Sequence, residues 1–480
     1  MAKLVVHVGG LLVLARLLSP SDFGLVGMVV AVVGVAEVFL DFGLLAAAVQ
    51  APELSEKQRN ALFWVNSLIG AVLAIVVALV AGQIAAFYDR AEVEPLTQVF
   101  AITFLLAGMA TQYRADLTRR MRFERFALAD IGGLLLGLVV AVVLAAGGAG
   151  PWALVGQQIA YRGGVLVLAA AFSGWLPSLD ADWRGLRGLL RFGTNLTGIQ
   201  VVTHLSRNID SLMVGRQFGA AALGVYNRAF QILMLPLNQL SFPSTTVALP
   251  VLSSLRGRRA EFDAYLLRGQ LVMAHLAVVV LAVGVVTAGE VIPLALGDQW
   301  VEVVEVFRIL AVGGMFHIVS HANAWVVLAD DLTGAAFRFQ LVARSLMSMG
   351  VVAASFVSVE AVAIAYSAGL AAYWPVELRW LSSRSAAPSG TMFRNGMRAI
   401  TAYSIAAGAG LVAVELVGDG PVAVSLLAGI SVMGVALLAL RAVWRAFGAD
   451  TRTVLGSLRE VLRRRFAPGP GSAEPAAPAG

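Results

Sequence analysis

Long apolar segments follow one another along almost the whole of this 480-residue chain. A helix needs about 20 consecutive apolar residues to cross the hydrocarbon core of a bilayer. Because lipid cannot satisfy exposed backbone hydrogen bonds, segments of this length predict a bundle of membrane-spanning helices. We expect about fourteen of them, near residues 4–18, 24–48, 61–86, 97–114, 127–147, 152–172, 193–215, 223–249, 266–289, 303–327, 336–356, 358–378, 398–417 and 421–444.

The composition supports the same class. Hydrophobic residues make up 59% of the chain and charged residues only 13%, whereas soluble domains are about a quarter charged. The predicted fold class is therefore an all-α integral membrane protein. The chain has no cysteine, which excludes disulfides, thiolate catalysis and Cys-ligated metals. The segment up to Leu18 lacks a cleavage site, so we expect a short first helix that begins upstream of Met1, and not a signal peptide.

Positive charge is concentrated in alternate loops. Such asymmetry marks the cytoplasmic side of a membrane protein, so both termini are predicted to be cytoplasmic in a multi-pass protein of the cytoplasmic membrane. The excess positive charge is expected to lie along anionic membrane lipid. Binding of nucleic acid would need a basic soluble domain, and the sequence predicts none. The Arg-rich loops include Arg119, Arg120, Arg122, Arg125, Arg256, Arg258 and Arg259.

A short motif occurs twice. Arg16 precedes Gly24 by eight residues, and Arg216 precedes Gly224 by the same distance; each copy follows one apolar segment and opens the next. Internal duplication of helix-rich halves is typical of transporters, which handle their substrate between the halves.

The chain changes character after the last apolar segment. Apolar residues recur at helical spacing between 447 and 466 with arginines between them, which predicts a cytoplasmic amphipathic helix on the inner leaflet. Residues 467–480 are mostly Pro, Gly and Ala and are expected to be disordered.

Several ordered motifs carry a family resemblance: Leu14 to Gly24, Phe39 to Leu44, Leu62 to Asn66, Arg207 to Asp210 and Leu223 to Ala229. Together they resemble the polysaccharide and lipopolysaccharide biosynthesis flippases, the Wzx-type branch of the multidrug/oligosaccharidyl-lipid/polysaccharide exporters. The resemblance implies a six-helix lobe at 1–192, a second at 193–390, two additional helices within 391–446, and the tail at 447–480.

For function, the resemblance implies transport of a polyprenyl-diphosphate-linked oligosaccharide from the cytoplasmic to the periplasmic leaflet. Polysaccharide polymerase and chain-length machinery are the implied partners. No catalytic residue, cofactor or metal is expected, because no bond is made or broken.

Charged residues inside apolar segments are costly and usually face a wet cavity or a partner. A guanidinium binds phosphate oxygens bidentately, so arginines at bilayer depth suit a diphosphate. The candidate substrate-binding residues are Arg162, Arg207, Asp210, Arg228, Arg308 and Arg344. The alternative is that an acid on the same helix face neutralises the arginine. Arg207 would then pair with Asp210 and Arg308 with Glu305, each three residues away.

Two acidic residues also allow both a functional and a structural interpretation. Glu37 and Asp41 lie one turn apart, which suits an ion-coupling site, but either could equally be a packing partner of Arg162. His317 and His321 have chelating spacing without the Glu of a His-Glu-x-x-His motif, and polar cavity lining is the interpretation we favour.

Other functions compete with a flippase. A drug or cation antiporter of the same fold would favour acids over arginines in its spans. A membrane glycosyltransferase or polymerase would need catalytic groups in a sizeable outer loop, and the loops here are short.

Overall fold

The computed structural model describes residues 2–41, 55–180, 182, 187–418 and 420–466. Side chains within these ranges are described except at 2, 41, 187–207, 242–243, 461–462 and 464–466. All regular secondary structure in this part of the chain is helical, which confirms the predicted all-α class.

Eight helices precede residue 187 in the described chain. They are α1 (Ala2–Leu17), α2 (Pro20–Asp41), α3 (Glu56–Leu79), α4 (Ala81–Tyr88), α5 (Val93–Phe100), α6 (Ile102–Arg119), α7 (Phe123–Ala146) and α8 (Trp152–Ser173). The rest are α9 (Arg187–Ser254), α10 (Arg259–Leu296), α11 (Val303–Ala329), α12 (Thr333–Ala354), α13 (Val359–Ser382), α14 (Ser389–Val417), α15 (Val422–Val443) and α16 (Arg445–Phe466).

Ten helical segments of the described chain are long and apolar enough to cross a membrane. The other four predicted spans coincide with α1, with the two parts of α9 and with α12. Helix α1 has only 16 residues, and α9 is interrupted at Gly219. A multi-pass membrane protein is established, while the number fourteen stays a prediction.

The starts of two helices follow from local sequence. Ser19 precedes Pro20, and the Asp22 carboxylate accepts hydrogen bonds from the Ser19 backbone N–H at 2.9 Å and from its hydroxyl at 2.7 Å. Proline at the first helical position with a capping Ser before it fixes where α2 begins. Ser55 and Gln58 form a capping box that starts α3.

Helices α7 and α8 pack closely because glycines face each other. A Cβ on Gly133 would lie 2.8 Å from the Tyr161 carbonyl oxygen, and one on Gly164 would lie 2.9 Å from the Gly133 Cα. Small residues let helix backbones approach in a membrane, where apolar side chains gain little by leaving lipid. Gly133 and Gly164 are therefore packing positions between α7 and α8.

The described chain divides into two compact units. The first comprises Met1–Ile232, Gly289–Leu310 and Gln340–Tyr366; the second comprises Leu233–Ala288, Ala311–Phe339 and Ser367–Gly480. The lobe boundaries expected at 192 and 390 stay a prediction.

Within the first unit, the ends of α3, α6 and α8 meet through buried polar contacts. Arg59 donates to the Asp116 carboxylate at 2.9 Å, and Ser173 donates to its other oxygen at 3.1 Å. The Arg59 guanidinium also lies 4.3 Å from the Trp175 ring centroid. These contacts place the Arg-rich loop after α6 and the loop after α8 at one end of the unit.

The loops predicted to lie on the other side of the membrane also meet, at the opposite end of these helices. Arg16 donates to the Leu294 carbonyl at 2.6 Å, and Asp22 lies beside Gly150. The two sets of loops that alternate along the sequence therefore lie at opposite ends of these helices.

In the second unit, α16 is fastened by ion pairs. Arg398 on α14 contacts Asp450 at 2.7 Å, and Arg268 on α10 contacts Glu460 at 2.9 Å. A helix thus occupies the stretch for which the sequence predicted an amphipathic one.

Candidate functional site

The first charged cluster of the candidate site joins α8 to α2 within the first unit. Arg162 Nη2 lies 2.8 Å from Glu37 Oε1, and the two side chains are 27% and 46% exposed. Both residues therefore keep part of their charged surface accessible, although they lie within segments able to span a membrane. Partial exposure leaves the guanidinium able to exchange the carboxylate for another anion.

A buried acid that the sequence interpretation missed lies next to this pair. Asp130 on α7 accepts a hydrogen bond from Tyr161 at 2.8 Å and contacts Lys3 Nζ at 2.6 Å. The Arg162 guanidinium in turn lies 5.6 Å from the Tyr161 ring centroid. The available signal was an acid within an apolar segment, the same signal that singled out Glu37.

Arg228 belongs to a different cluster of the first unit. Its side chain is buried, with the guanidinium 4.1 Å from the Phe23 ring centroid and 5.0 Å from that of Trp300. Nη1 donates to Gln231 Oε1 at 2.8 Å. Burial between two aromatic rings satisfies a cation without an acid, so this geometry favours a structural role for Arg228 in the state described.

Trp300 ties that cluster to the end of α1. Its indole N–H donates to the Ala15 carbonyl at 2.8 Å, and Gln299 donates to the same oxygen at 2.7 Å. The loop between α10 and α11 therefore holds the segment that contains the first copy of the repeated motif.

The two copies of the repeated motif contact each other. A Cβ on Gly24 would overlap the Ala220 carbonyl, and a Cβ on Gly224 would overlap the Pro20 carbonyl. The contact is reciprocal, because Pro20 and Ala220 occupy equivalent positions in the copies, as do Gly24 and Gly224. Glycine is needed at both positions for helices α2 and α9 to cross this closely.

Asp210 is buried in the part of α9 that precedes the break at Gly219. Its carboxylate accepts hydrogen bonds from the Tyr226 hydroxyl and from the Ser211 backbone N–H, both at 2.8 Å. The side chains of Arg207 and Asp41 lie outside the described residues, so both interpretations of Arg207 (substrate binding or pairing with Asp210) and the role of Asp41 stay predictions.

The last two candidate arginines lie on α11 and α12. The Arg308 guanidinium lies beside Gly289, where a Cβ would be 3.5 Å from Nη2. Arg344 is half-buried. Of the candidate residues, the contacts described bring Arg162 and Glu37 together, whereas Arg228 and Asp210 have their own partners.

The second unit contains an open cavity of about 490 Å³ bordered by Asn238, Ser241, Thr245, Thr246 and His321, and its accessible lining surface is mostly apolar. The sequence interpretation of His321 as cavity lining fits this position. Among the described residues, no three His, Cys, Asp or Glu side chains gather as a metal site.

The same arrangement of helices is found in solved structures of membrane transporters. The chain matches the lipid II flippase MurJ in an inward closed conformation with a TM-score of 0.70 at 13% identity, covering 92% of this chain and 97% of MurJ. An inward-facing multidrug MATE transporter of the MOP superfamily matches with a TM-score of 0.59 over 84% of this chain and 96% of its own, also at 13% identity. The fold class is therefore that of MurJ-like and MATE-like transporters.

Comparison of sequences identifies the family to which the chain belongs within this fold class. Residues 13–305 match the family described as polysaccharide biosynthesis protein, and the chain belongs to this family. The teichuronic acid biosynthesis protein TuaB of Bacillus subtilis is 29% identical over 63% of this chain and 63% of its own length. The lipopolysaccharide biosynthesis protein WzxC of Escherichia coli is 23% identical over 68% of this chain and 67% of its own. The resemblance drawn from the sequence motifs is confirmed.

Proposed function

We propose that this protein is a flippase that moves a polyprenyl-diphosphate-linked oligosaccharide across the cytoplasmic membrane for surface polysaccharide synthesis. The observation that carries the proposal is the half-buried Arg162, which lies within a membrane-spanning helix of a protein in the polysaccharide biosynthesis family. A guanidinium at this depth suits an anionic headgroup. Transport makes and breaks no bond, so the protein is a transporter and not an enzyme.

The Arg162–Glu37 pair suggests how the headgroup is received. Glu37 neutralises the guanidinium at 2.8 Å. A diphosphate offers more oxygens and more negative charge than one carboxylate, so it competes for the same donors by charge-assisted bonds. Arg207, Arg308 and Arg344 are the further candidates for this role.

Movement follows an alternating-access cycle in this proposal. The lobes at 1–192 and 193–390 rock about the substrate, which is the behaviour of transporters built from repeats. In this proposal the close crossing of Gly24 with Ala220 and of Gly224 with Pro20 opens and closes during the cycle. Polysaccharide polymerase and chain-length proteins are the proposed partners that use the exported oligosaccharide.

The proposed orientation puts both termini in the cytoplasm. Support comes from the ends of α3, α6 and α8, which gather arginines at one end of the first unit, as the positive-inside rule requires. The opposite end, with Arg16 and Asp22, then faces the periplasm.

Export in a flippase-deficient strain tests this function. We expect Arg162→Ala to lower surface polysaccharide at least about tenfold, because a hydrogen bond to a charged group contributes roughly 1.5–3 kcal/mol, and Arg162→Lys to retain part of the activity. Protein abundance in the membrane should stay unchanged in both variants. Arg394→Ala is the matched control, since Arg394 is an exposed arginine that contacts Thr391.

A structural role of the pair gives a different result. Arg162→Ala would then be depleted from the membrane, and the double change with Glu37→Ala would restore the protein level. Normal export by the double variant at normal abundance would rule out the substrate role of Arg162.

An antiporter of the same fold is the second candidate, because Asp130 is a buried acid within the first unit. Such a protein would lose transport on Asp130→Asn and keep it on Arg162→Ala. The flippase proposal expects Arg162→Ala to cause the larger loss of export.

A further inference from the structure

Helix α16 contacts the rest of the second unit through one side. The Phe447 ring lies 5.8 Å from the His275 ring of α10 and 5.8 Å from the Tyr403 ring of α14, measured between ring centroids. Arg398 of α14 donates to both carboxylate oxygens of Asp450, at 2.7 and 3.1 Å. Phe447 and Asp450 are both buried, so this side of the helix is occupied by contacts within the protein.

Four arginines form a stripe along the opposite side of α16. Successive residues advance by about 100° around an α-helix, so residues seven apart point in nearly the same direction. By the same spacing, Phe447, Asp450 and the buried Val454 point about 160–220° away from the centre of this stripe. The basic stripe consists of Arg445, Arg452, Arg459 and Arg463.

The basic stripe is available for contact. All four of its arginines are exposed. The salt bridges that α16 forms within the described chain use its acids, Asp450 with Arg398 and Glu460 with Arg268, and none of the stripe arginines. The helix thus turns its buried acid toward the protein and its arginines away from it. Four positive charges spread over about 27 Å of helix suit an extended array of negative charge.

The position of α16 in the chain indicates where such an array lies. Helix α15 is long and apolar enough to cross a membrane, it ends at Val443, and Trp444 alone separates it from Arg445. The stripe therefore begins at the depth of the lipid headgroups, where tryptophan is enriched. Leu455 lies about 60° from Arg452 around the helix and is 41% exposed, which gives the same face an apolar residue suited to lipid.

We propose that the basic stripe of α16 binds anionic phospholipid headgroups in the leaflet where α15 ends, which is the cytoplasmic leaflet in the proposed orientation. An amphipathic helix ordinarily inserts its apolar face into the membrane. In α16 the apolar Phe447 and Val454 are buried within the protein instead, and the arginines meet the membrane. Lipid on one side and protein on the other together hold the helix in place.

Hydrogen exchange of the full-length protein in nanodiscs tests this site. One nanodisc contains phosphatidylcholine alone, and the other contains an equal mixture of phosphatidylcholine and anionic phosphatidylglycerol. One arginine near an anionic surface is worth about a fivefold change in an equilibrium. We expect the backbone amides of residues 452–463 to exchange at least about tenfold more slowly in the anionic nanodisc, because at least two arginines contact its lipid.

Variants separate lipid binding from docking on the protein. Arg452→Gln together with Arg459→Gln should remove most of the slowing in the anionic nanodisc and leave exchange in the neutral nanodisc unchanged. The matched control is Arg384→Gln with Arg394→Gln, which removes the same charge from exposed arginines near the start of α14 and should keep the full slowing. Asp450→Asn should speed exchange in both nanodiscs, because it weakens docking.

Three results would overturn the assignment. Equal exchange of the unchanged protein in the two nanodiscs is the first, and undiminished slowing in the Arg452→Gln, Arg459→Gln variant is the second. Equal protection in the neutral nanodisc by soluble polyglutamate is the third, since it would indicate an acidic protein partner. Salt gives a further measurement without any variant. Raising it from about 0.1 M to about 1 M shortens the Debye length from roughly 10 Å to 3 Å and should abolish the difference between the lipids; a difference that persists would also contradict the proposal.

Discussion

Gly24→Ala is the smallest change that probes the crossing between the two motif copies. A Cβ at Gly24 overlaps the Ala220 carbonyl and lies 2.9 Å from the Ala220 Cα. Both neighbours belong to the backbone, so no side chain can turn aside to make room. The helices can accept the methyl group only by moving apart.

The displacement follows from ordinary contact distances. Carbon atoms pack at about 3.5–4.0 Å, and the Ala220 carbonyl is nearer to this Cβ than the Ala220 Cα is, so α2 and α9 must separate by about 1–2 Å at this point. Overpacking of this kind costs about 1–3 kcal/mol, which corresponds to roughly a 5- to 150-fold change in population. We expect Gly24→Ala to shift the protein toward the state in which the crossing is open, and to slow export.

Crosslinking measures that shift directly. The chain has no native cysteine, and Ser21 and Ala221 are exposed residues beside the crossing. Ser21→Cys together with Ala221→Cys should react with a short bismaleimide in high yield. The yield should fall when Gly24→Ala is added, while membrane abundance stays the same.

Gly9→Ala is the control, because a Cβ there meets no atom within 4 Å. It should change neither crosslinking nor export. If Gly24→Ala keeps both the crosslinking yield and the export of the unchanged protein, the crossing is not a close contact that the transport cycle must open, and the reasoning fails.

Two further predictions concern the backbone and the topology. Gly219 has φ 82° and ψ −173°, a conformation almost confined to glycine, so Gly219→Ala should cost about 1–3 kcal/mol and lower the thermal aggregation midpoint. Gly257→Ala, at an uncrowded position, should leave that midpoint in place, and equal midpoints for both variants would contradict the strain. Reporter fusions after Arg125 and Arg259 should report the cytoplasm and fusions after Gly148 the periplasm; reversal at these positions would invert the proposed orientation.

The fold could be predicted largely because a membrane imposes strong constraints. Segments of about 20 apolar residues allow little besides helices. The two related halves indicated by the repeated Arg-to-Gly motif stay a prediction. Boundaries were harder, because the apolar pattern continues across a break such as Gly219, where only the backbone dihedral angles show the interruption.

The candidate site was predicted less completely. Glu37 and Arg162 stood out as charges in apolar segments, and they lie together. Asp130 carried the same signal, but its importance depends on Lys3 and Tyr161, which come from distant parts of the chain. Arg228 looked like the other arginines in sequence, and only its position between Phe23 and Trp300 sets it apart.

The reciprocal contact of the two motif copies makes its two sides equivalent. Pro20 meets Gly224, and Ala220 meets Gly24, so equivalent surfaces face each other as in an interface with two-fold symmetry. Each of the two glycines meets the backbone that precedes the other glycine by four residues. Gly24→Ala and Gly224→Ala should therefore have similar effects, and a double variant should crowd the same crossing twice.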